Sequence, residues 1–449
     1  MEQKEYDVFV IGSGSAGQVV AETCAQNGLK VAIADNREYG GTCPNRGCDP
    51  KKILLAPTEA YETATNLIGR GIFSAPKLDW KALQKNKRKF TIGVPKATEK
   101  DLTKLGIDLF HQSPKFLDPQ TLSVEGKNST VKKVVIATGQ IPRKLKFEGN
   151  TFLKTSDDFL SLKKLPKSMA FIGGGYIGME FAHMAARAGS KVTVIERGDR
   201  ILKAFDLDLV SHLKKSSEDL GIRFILGAEV SQIEKLRKNF RVHYAKGGQN
   251  KSFKVRSVFN TAGRVPAIDT LELNKGNVTC SDKGILVNDF LQNTGNPNVY
   301  ACGDVSLHSL PLTPLSGIEG AIVAENILKC NKKKIEVPVV PSAVFTLPNL
   351  ASVGLSEEEA KSRYKNVVVN YKSVPDWYNA KRINTSAYAY KIISNKRTRQ
   401  IVGAHLLAPH SAETINLFAM AINQQLTTED IKTMIFTYPS WANDIKSMV

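Results

Sequence analysis

The chain has 449 residues and carries 62 Lys and Arg against 43 Asp and Glu, a formal net charge of +19. This length exceeds what one hydrophobic core usually supports, and 42% hydrophobic with 23% charged residues excludes a disordered chain. The cations are spread along the chain without a nucleic-acid motif, so a solvated basic surface is favoured and we expect no nucleic-acid partner.

The N-terminal segment MEQKEYDVFVIGSGSAG runs from a few charged residues directly into an apolar strand. It lacks the basic start, apolar core and cleavage site of a signal peptide. The longest apolar stretch, MAFIGGGYIGMEFAHMAARAG, is interrupted by glycines, Glu180 and His183, which makes it a poor membrane span. We therefore expect a cytoplasmic protein with no membrane partner.

The first predicted elements are a strand, a glycine-rich turn, a helix and a second strand, within YDVFVIGSGSAGQVVAETCAQNGLKVAIAD. Gly12, Gly14 and Gly17 have the G-x-G-x-x-G spacing, which allows a tight turn, close approach of the backbone to a pyrophosphate and close helix packing. Asp35 ends the second strand, where a carboxylate can accept hydrogen bonds from ribose hydroxyls. The segment therefore predicts a dinucleotide site.

The next feature is a close thiol pair, Cys43 and Cys48, in GGTCPNRGCDPKK. Two thiols at this spacing, beside two lysines, are compatible with a structural zinc site or with a redox-active disulfide. The chain has six cysteines, too few and too scattered for a secreted disulfide scaffold. Cys24 and Cys302 lie in apolar runs, and we expect both to be buried as small hydrophobic residues.

The dinucleotide pattern returns in SMAFIGGGYIGMEFAHMAARAGSKVTVIER, with Gly173, Gly175 and Gly178 before a helix and Glu196 at the end of a strand. We call these two G-x-G-x-x-G segments the first and the second glycine fingerprint. Each is followed later in the chain by a short apolar strand that ends in small residues, in KKVVIATGQIPR and RSVFNTAGRVPAID. Further on, NPNVYACGDV places Asp304 after a strand, where its carboxylate can bind a polyol chain. Two dinucleotide sites and a thiol pair together suggest that electrons pass from one nucleotide to another and then to sulfur.

These motifs resemble those of the pyridine nucleotide-disulfide oxidoreductases, the group of glutathione reductase, dihydrolipoamide dehydrogenase and mercuric reductase. The resemblance covers essentially the whole chain, since YACGDV with LTPLSGIEGAIVAENI is similar to the second flavin-binding segment and PSAVFTLPNLASVGLSEEEA to the start of the interface domain. It implies an α/β fold with two Rossmann-like dinucleotide-binding domains, for FAD and NAD(P), and a C-terminal α+β dimerisation domain.

By this resemblance, Cys43 is the thiol that attacks a disulfide substrate, and Cys48 lies against the flavin and takes its electrons. A zinc site is disfavoured because it needs four ligands and no second Cys/His pair follows, so no metal site is expected. The basic surroundings and a helix that begins at this segment are expected to lower the thiol pKa.

The resemblance also assigns roles to other residues. Lys51 and Glu180 match an ion pair beside the flavin, and Tyr176 matches the ring that covers the flavin until nicotinamide displaces it. The remaining positions that match flavin contacts are Thr42, Lys52, Thr138, Gly139 and Asp304.

The choice of nicotinamide coenzyme stays open between NADH and NADPH. Glu196 would accept bonds from both ribose hydroxyls of NADH and repel the 2′-phosphate of NADPH. Arg197 and Lys203, however, stand where relatives that use NADPH hold cations. Gly263, in the TAGRVP turn, is also expected at the NAD(P) site.

The C-terminal segment FTYPSWANDI departs from the family pattern. Tyr438 stands where disulfide reductases have a proton-exchanging His, and Asn443 stands where they have the Glu that orients it. An imidazole can take and give a proton at pH 7, whereas a phenol with a pKa near ~10 can give one but is rarely ionised. We therefore expect weakened, but not excluded, disulfide chemistry.

The leading hypothesis is an NAD(P)H-dependent FAD enzyme that passes electrons through Cys43 and Cys48 to a small-molecule or thiol/disulfide substrate. The alternatives are a flavoenzyme with a quinone, metal ion or oxygen as acceptor, and a non-catalytic flavoprotein. Mercury reduction is disfavoured because no cysteine follows Cys330, whereas mercuric reductases add a C-terminal cysteine pair.

Motif order predicts four segments and an assembly. They are a first part of the FAD domain (1–145), an NAD(P) domain (146–270), a second part of the FAD domain (271–335) and a dimerisation domain (336–449). The resemblance implies a homodimer in which Tyr438 reaches the partner subunit's active site.

Overall fold

The computed structural model describes residues 4–308 and 310–449. Its helices are α1 (Ser15–Gln26), α2 (Thr42–Arg46), α3 (Cys48–Asn66), α4 (Trp80–Thr91), α5 (Val94–Lys104), α6 (Ser156–Leu160), α7 (Tyr176–Arg187), α8 (Leu207–Asp219), α9 (Thr313–Lys329), α10 (Glu357–Arg363), α11 (Tyr378–Ile383), α12 (Ser411–Asn423), α13 (Thr428–Thr433) and α14 (Trp441–Asp444). Its first strands are β1 (Lys4–Ile11), β2 (Val31–Ala34), β3 (Asp108–Phe110), β4 (Lys115–Asp118), β5 (Thr121–Val124), β6 (Lys127–Ile136), β7 (Gln140–Pro142), β8 (Ser168–Ile172), β9 (Lys191–Glu196), β10 (Arg223–Leu226), β11 (Ala228–Lys235) and β12 (Phe240–Lys246). The later strands are β13 (Gln249–Val255), β14 (Ser257–Asn260), β15 (Arg264–Pro266), β16 (Cys280–Ser281), β17 (Gly284–Ile285), β18 (Val299–Ala301), β19 (Ser342–Val344), β20 (Asn349–Gly354), β21 (Val367–Ser373), β22 (Ala389–Asn395) and β23 (Ile401–Ala408).

The chain folds into two compact units, each built from separate stretches of sequence. The first unit comprises Met1–Ile53, Lys85–Arg143 and Gly263–Glu336. The second comprises Leu54–Gln84, Lys144–Ala262 and Val337–Val449.

The first unit is built on a mixed sheet with strand order β3-β2-β1-β6-β5-β4, in which β18 also pairs with β6. β1, β2, β3, β6 and β18 are parallel neighbours, whereas β4 and β5 pair antiparallel. The central strand β1 is buried along most of its length, as expected for a parallel strand covered on both faces. Cys24 and Cys302 are fully buried in this unit, which confirms that they pack as small hydrophobic residues.

Helices α1 and α9 of the first unit pack closely because glycine leaves room between them. A Cβ at Gly320 of α9 would lie 2.6 Å from the carbonyl oxygen of Ala16 on α1. A Cβ at Gly303, ahead of α9 in the chain, would lie 3.3 Å from the Cβ of Ala16. This contact packs the start of α1 against the middle of α9 within the same unit.

The second unit contains a parallel sheet of order β10-β9-β8-β14, which follows the second glycine fingerprint. An antiparallel three-stranded sheet, β11-β12-β13, is inserted between β10 and β14. The sequence analysis did not foresee this insertion.

The same unit also contains an antiparallel sheet of order β19-β20-β23-β22-β21, followed by α12, α13 and α14. Tyr388, Tyr390 and Phe418 belong to its buried core. Among the helices of residues 4–308 and 310–449, none is both long and apolar enough to cross a membrane.

Candidate active site

The thiol pair lies at the junction of two helices in the first unit. Cys43 is the second residue of α2 and Cys48 is the first residue of α3, so the predicted helix at this segment is confirmed. Gly47 allows the two helices to meet, since a Cβ there would lie 2.9 Å from Thr42 O and 3.1 Å from Cys43 Cα. Both thiols are free, with Cys43 half-buried and Cys48 exposed.

The two thiols have opposite pKa shifts because they share a hydrogen bond. The pKa of Cys48 falls to about 6, chiefly because the Cys43 thiol donates to its sulfur, with further lowering from Thr313 and from the Lys51 charge. The pKa of Cys43 is raised, because this thiol keeps its proton for the bond to Cys48 and is partly desolvated. The expected lowering therefore holds for Cys48 and is wrong for Cys43 while both thiols are reduced.

Thr313 is a contact of the thiol pair that the sequence analysis missed. Its Oγ1 lies 3.7 Å from Cys48 Sγ, and it is the first residue of the 17-residue helix α9. A helix N-terminus carries partial positive charge, so both the hydroxyl and the helix favour a thiolate at Cys48. The signal was present in LTPLSGIEG, where Thr precedes a proline in the first helical turn, but its separation from Cys48 by 265 residues concealed it.

The first glycine fingerprint forms a cradle that fits a dinucleotide pyrophosphate. Gly12 has φ +110°, and a Cβ there would lie 2.3 Å from the carbonyl oxygen of Ala137. A Cβ at Gly17 would lie 1.9 Å from Gly12 O, whereas one at Gly14 would have 4.0 Å to its nearest neighbour in Gly41. Among residues 4–308 and 310–449, no side chain caps α1, which leaves its first N–H groups to a ligand.

Other predicted flavin residues of the first unit also fit this group. Asp35 Oδ2 accepts hydrogen bonds from the amide and hydroxyl of Ser13, and its carboxylate retains lone pairs for ribose hydroxyls. Thr138 Oγ1 is buried without a hydrogen-bond partner among the described residues, as expected of an atom that a ligand would satisfy. Gly139, with φ +65°, accepts from Ala267 N through its carbonyl oxygen.

Asp304 lies three residues beyond β18 and pairs with an arginine that the sequence analysis did not single out. Arg264 Nη1 lies 3.2 Å from Asp304 Oδ2. Burial raises the pKa of Asp304, and Arg264 opposes that shift. A half-buried carboxylate in this position can accept hydrogen bonds from the polyol chain of FAD.

The second glycine fingerprint repeats the first in the second unit. Gly173 has φ +107°, and a Cβ there would lie 2.5 Å from Thr261 O. A Cβ at Gly178 would lie 2.3 Å from Gly173 O, whereas Gly175 has open space around it. α7 starts after Gly175 without a side-chain cap, so this cradle also fits a pyrophosphate.

Glu196 is fixed by two main-chain amides at the edge of this cradle. Gly174 N donates to its Oε2 at 2.7 Å, and Gly198 N donates to its Oε1 at 2.8 Å. Lys203 lies in the same loop and reaches Asp199 at 3.9 Å, while Arg197 follows Glu196 directly. Gly263, with φ +99°, belongs to the first unit.

The remaining predicted residues are distributed between the two units. Lys51 and the exposed Thr42 and Lys52 belong to the first unit. Tyr176 is 42% exposed at the start of α7, and Glu180 is buried one turn later in the second unit.

Tyr438 is 72% exposed in the second unit, and its ring centroid lies 6.5 Å from that of Tyr378. Asn443 donates its backbone N–H to Ser440 Oγ at 3.1 Å, which caps α14. The neighbouring Asp444 accepts hydrogen bonds from Asn379 and Tyr388. The Asp444 carboxylate therefore holds together side chains within the second unit.

The chain matches the family model described as pyridine nucleotide-disulphide oxidoreductase over residues 6–326, and that family's dimerisation domain over residues 340–449. It belongs to the pyridine nucleotide-disulphide oxidoreductase family. The predicted fold class is confirmed, with FAD- and NAD-binding domains and a dimerisation domain.

Curated relatives that match nearly the whole chain carry three different names. Mercuric reductase of Staphylococcus aureus is 32% identical, covering 98% of this chain and 81% of the relative. Glutathione reductase of Nostoc sp. is 32% identical, with 99% of both chains covered. Dihydrolipoyl dehydrogenase of Bacillus subtilis is 31% identical, covering 98% of this chain and 96% of the relative.

Among solved structures, the HOCl-induced flavoprotein disulfide reductase RclA from Escherichia coli matches with a TM-score of 0.88 and 28% identity, over 99% of both chains. A Cu(II) complex of the same protein matches with a TM-score of 0.88, covering 98% of this chain. The chain is therefore an oxidoreductase of a family whose members contain FAD, use NADH or NADPH and carry out disulfide-type reduction.

Proposed function

We propose that this protein uses NAD(P)H to reduce a small disulfide through the Cys43 and Cys48 pair. The balanced reaction is NAD(P)H, H⁺ and a disulfide giving NAD(P)⁺ and two thiols. When bound, FAD accepts a hydride and delivers an electron pair to sulfur. The observation that carries the proposal is the placement of two free thiols where α2 meets α3, with the Thr313 hydroxyl 3.7 Å from Cys48 Sγ. The lowered pKa of Cys48 agrees with a thiolate at this position.

In this proposal the chain's own residues have separate tasks. Cys43 loses its proton and attacks one sulfur of the substrate disulfide, and this proton passes to the first thiolate that leaves. Cys48 then attacks the sulfur of Cys43, which forms the Cys43–Cys48 disulfide and breaks the bond to the substrate; H⁺ from solvent protonates the second leaving thiolate. Lys51 and Glu180 match the family's charged pair beside the flavin, which would favour the reduced flavin, and Tyr176 would cover the flavin until the coenzyme arrives. The other cofactor residues are Gly12, Gly14, Gly17, Asp35, Thr42, Lys52, Thr138, Gly139 and Asp304 for FAD, and Gly173, Gly175, Gly178, Glu196, Arg197, Lys203 and Gly263 for NAD(P).

We further propose a cytoplasmic homodimer in which Tyr438 serves the partner subunit's thiol pair. The dimerisation domain at residues 340–449 supports the assembly. The proposed domain division remains 1–145, 146–270, 271–335 and 336–449. Tyr438 would donate a proton to the leaving thiolate, a task that a neutral phenol can perform.

A second candidate acceptor is a thiophilic metal ion such as Cu(II). Reduction of two Cu(II) by one NADH yields two Cu(I), NAD⁺ and H⁺, so no leaving group has to be protonated. This chemistry does not need the His and Glu that Tyr438 and Asn443 replace. The structurally similar RclA has been solved as a Cu(II) complex, which supports the same candidate.

An anaerobic titration of the FAD-loaded protein with NADH, and separately with NADPH, tests the proposal. A long-wavelength thiolate-to-flavin absorption band at two electrons is expected, because a Cys48 thiolate would lie against the oxidised flavin. Direct passage to fully reduced flavin without the band would contradict a role for the thiol pair.

The two acceptors are separated by Tyr438→Phe and Tyr438→His variants. If a disulfide is the acceptor, Y438F lowers its turnover at least ~10-fold and Y438H retains or raises it, since general acid catalysis contributes about 10²–10⁴-fold. If Cu(II) is the acceptor, both variants keep wild-type Cu(II) turnover, while Cys43→Ser abolishes it.

A further inference from the structure

Helix α7 buries a stripe of three ionisable side chains. Glu180, His183 and Arg187 follow the spacing of one helix face and are exposed by only 2%, 1% and 6%. Burial of charged groups is unfavourable unless each one is paired, and apolar residues of similar volume would pack there more simply. Each of these three side chains is therefore expected to have a polar partner in the core.

The stripe holds the main chain of the segment 345–347. Glu180 Oε1 accepts the Phe345 N–H at 2.9 Å, and His183 Nδ1 accepts the Leu347 N–H at 3.2 Å. Arg187 Nη2 donates to the Leu347 carbonyl oxygen at 2.9 Å. Side chains of α7 thus take the place of a neighbouring strand for this segment.

Arg187 also connects the stripe to helix α3. Its Nε donates to Glu62 Oε2 at 2.7 Å, and the Arg187 side chain is only 2% exposed in this ion pair. Its Nη1 lies 3.2 Å from His183 Nδ1. One guanidinium therefore joins α7, the segment 345–347 and the part of α3 that belongs to the second unit.

The hydrogen bonds define His183 as a neutral Nε2–H tautomer. The Ser217 hydroxyl donates its proton to Leu213 O at 2.7 Å, so His183 Nε2 donates to Ser217 Oγ at 2.9 Å. Nδ1 is then the acceptor for Leu347 and Arg187. Burial and the Arg187 charge both lower the pKa of His183, which agrees with this assignment.

We propose that Arg187 is a positioning residue, which fixes Glu180 through His183 and the 345–347 segment and fixes α3 through Glu62. The inference rests on the proposed function for the role of Glu180. Arg187 itself is proposed to touch neither substrate nor cofactor. It determines the orientation of Glu180, which acts beside the cofactor. A planar guanidinium with three directed contacts suits this role, whereas a lysine ammonium cannot reproduce them.

The test is stopped-flow reduction of the flavin by NADH in the FAD-loaded Arg187→Met, Arg187→Lys and Glu62→Gln variants. R187M is expected to reduce its flavin about 10-fold more slowly or worse, since small misplacements near reacting groups have large effects on rate. R187K should resemble R187M, because charge without the fork geometry does not restore the contacts. E62Q should fall between wild type and R187M.

Lys391→Met is the matched control for lost stability. Lys391 is also buried in the second unit, where it pairs with Asp206, Asp208 and Glu357, none of which belongs to the stripe. K391M should unfold at a lower temperature than wild type but reduce its flavin within about twofold of the wild-type rate, as expected for a structural ion pair.

The proposal is overturned if folded, FAD-loaded R187M is reduced at the wild-type rate, or if K391M slows reduction as much as R187M. If R187M fails to fold, R187K and E62Q decide by the same criteria. A wild-type protein that is reduced without the charge-transfer band would contradict the proposed function. The rates of the variants would still test the stripe in that case.

Discussion

The lowered pKa of Cys48 comes from neighbours in two distant parts of the chain. Cys43 and Lys51 are local, and the sequence motif GGTCPNRGCDPKK predicts both. Thr313 comes from α9 and could not be predicted, because no local spacing rule links it to the thiols. Groups that act on Cys48 from the same short segment can therefore be predicted from the sequence. Contacts that depend on the packing of distant helices cannot.

A Thr313→Val variant should raise the pKa of Cys48. Thr313 stabilises the thiolate, so its removal favours the thiol, and a hydrogen bond of about 1 kcal/mol corresponds to a shift of about 0.7 pH unit. In wild type the charge-transfer band should be present at neutral pH and disappear as the pH falls through about 6. The titration midpoint of this band in two-electron-reduced protein measures the shift.

Thr313→Ser is the matched control, because it keeps the hydroxyl and should keep the wild-type midpoint. A midpoint in T313V that equals that of wild type would show that the hydroxyl does not stabilise the Cys48 thiolate.

Glu196 is expected to make NADH the preferred coenzyme. Its carboxylate is held by the amides of Gly174 and Gly198, where it would repel a 2′-phosphate. In Glu196→Ala these two N–H groups become available to an anion, so the ratio of kcat/KM for NADPH to that for NADH should rise at least ~10-fold, equivalent to about 1.4 kcal/mol. Steady-state kinetics with both coenzymes measure this ratio.

Lys203→Met is the control variant for Glu196→Ala, because it should change the coenzyme preference in the opposite direction. It should weaken the use of NADPH and leave NADH turnover nearly unchanged, since only the 2′-phosphate needs the cation. A wild-type protein that prefers NADPH would contradict the expected role of Glu196.

At the scale of elements, the two strand–turn–helix segments that contain the glycine fingerprints were the most predictable part of the fold. Gly17 and Gly178 are required by local main-chain contacts with Gly12 and Gly173, as in other nucleotide-binding folds. Gly12 and Gly173 in turn approach the distant carbonyl oxygens of Ala137 and Thr261. The three-stranded sheet β11-β12-β13 was missed, because its alternating strands carry no motif and its position depends on the sheet into which it is inserted. Turns that depend on local steric requirements can therefore be predicted from the sequence, whereas the position of an inserted sheet is known only from the tertiary structure.

Two glycines of the second fingerprint should respond differently to alanine. A Cβ at Gly178 would lie 2.3 Å from Gly173 O, so Gly178→Ala should destabilise the unit and lower the unfolding temperature by several degrees, as is typical of overpacking. Gly175 has open space around it, so Gly175→Ala should fold normally but obstruct the pyrophosphate. Thermal unfolding and the KM for NADH measure the two effects.

The expected pattern is a low unfolding temperature for G178A, and an unchanged unfolding temperature with a raised KM for G175A. If G175A binds NADH as well as wild type does, the second fingerprint does not contact the pyrophosphate as proposed.

At the scale of the whole molecule, the family assignment covers both the nucleotide-binding region and the dimerisation domain. The sequence predicted this organisation because its motifs occur in the family's order along the entire chain. The acceptor was less predictable, since the substitution at Tyr438 removes the residue type that marks disulfide reductases. We propose that the exposed Tyr438 of the dimerisation domain acts on the thiols of a second subunit.

A purified heterodimer of Cys43→Ser and Tyr438→Phe subunits tests this arrangement. If Tyr438 serves the partner's Cys43, one site of the heterodimer combines an intact thiol pair with an intact tyrosine, and the other site has both defects. The heterodimer, isolated through two different affinity tags, should then show about half of the wild-type turnover with a disulfide. If Tyr438 served its own subunit, no site would be intact, and turnover would not exceed half that of the Y438F homodimer.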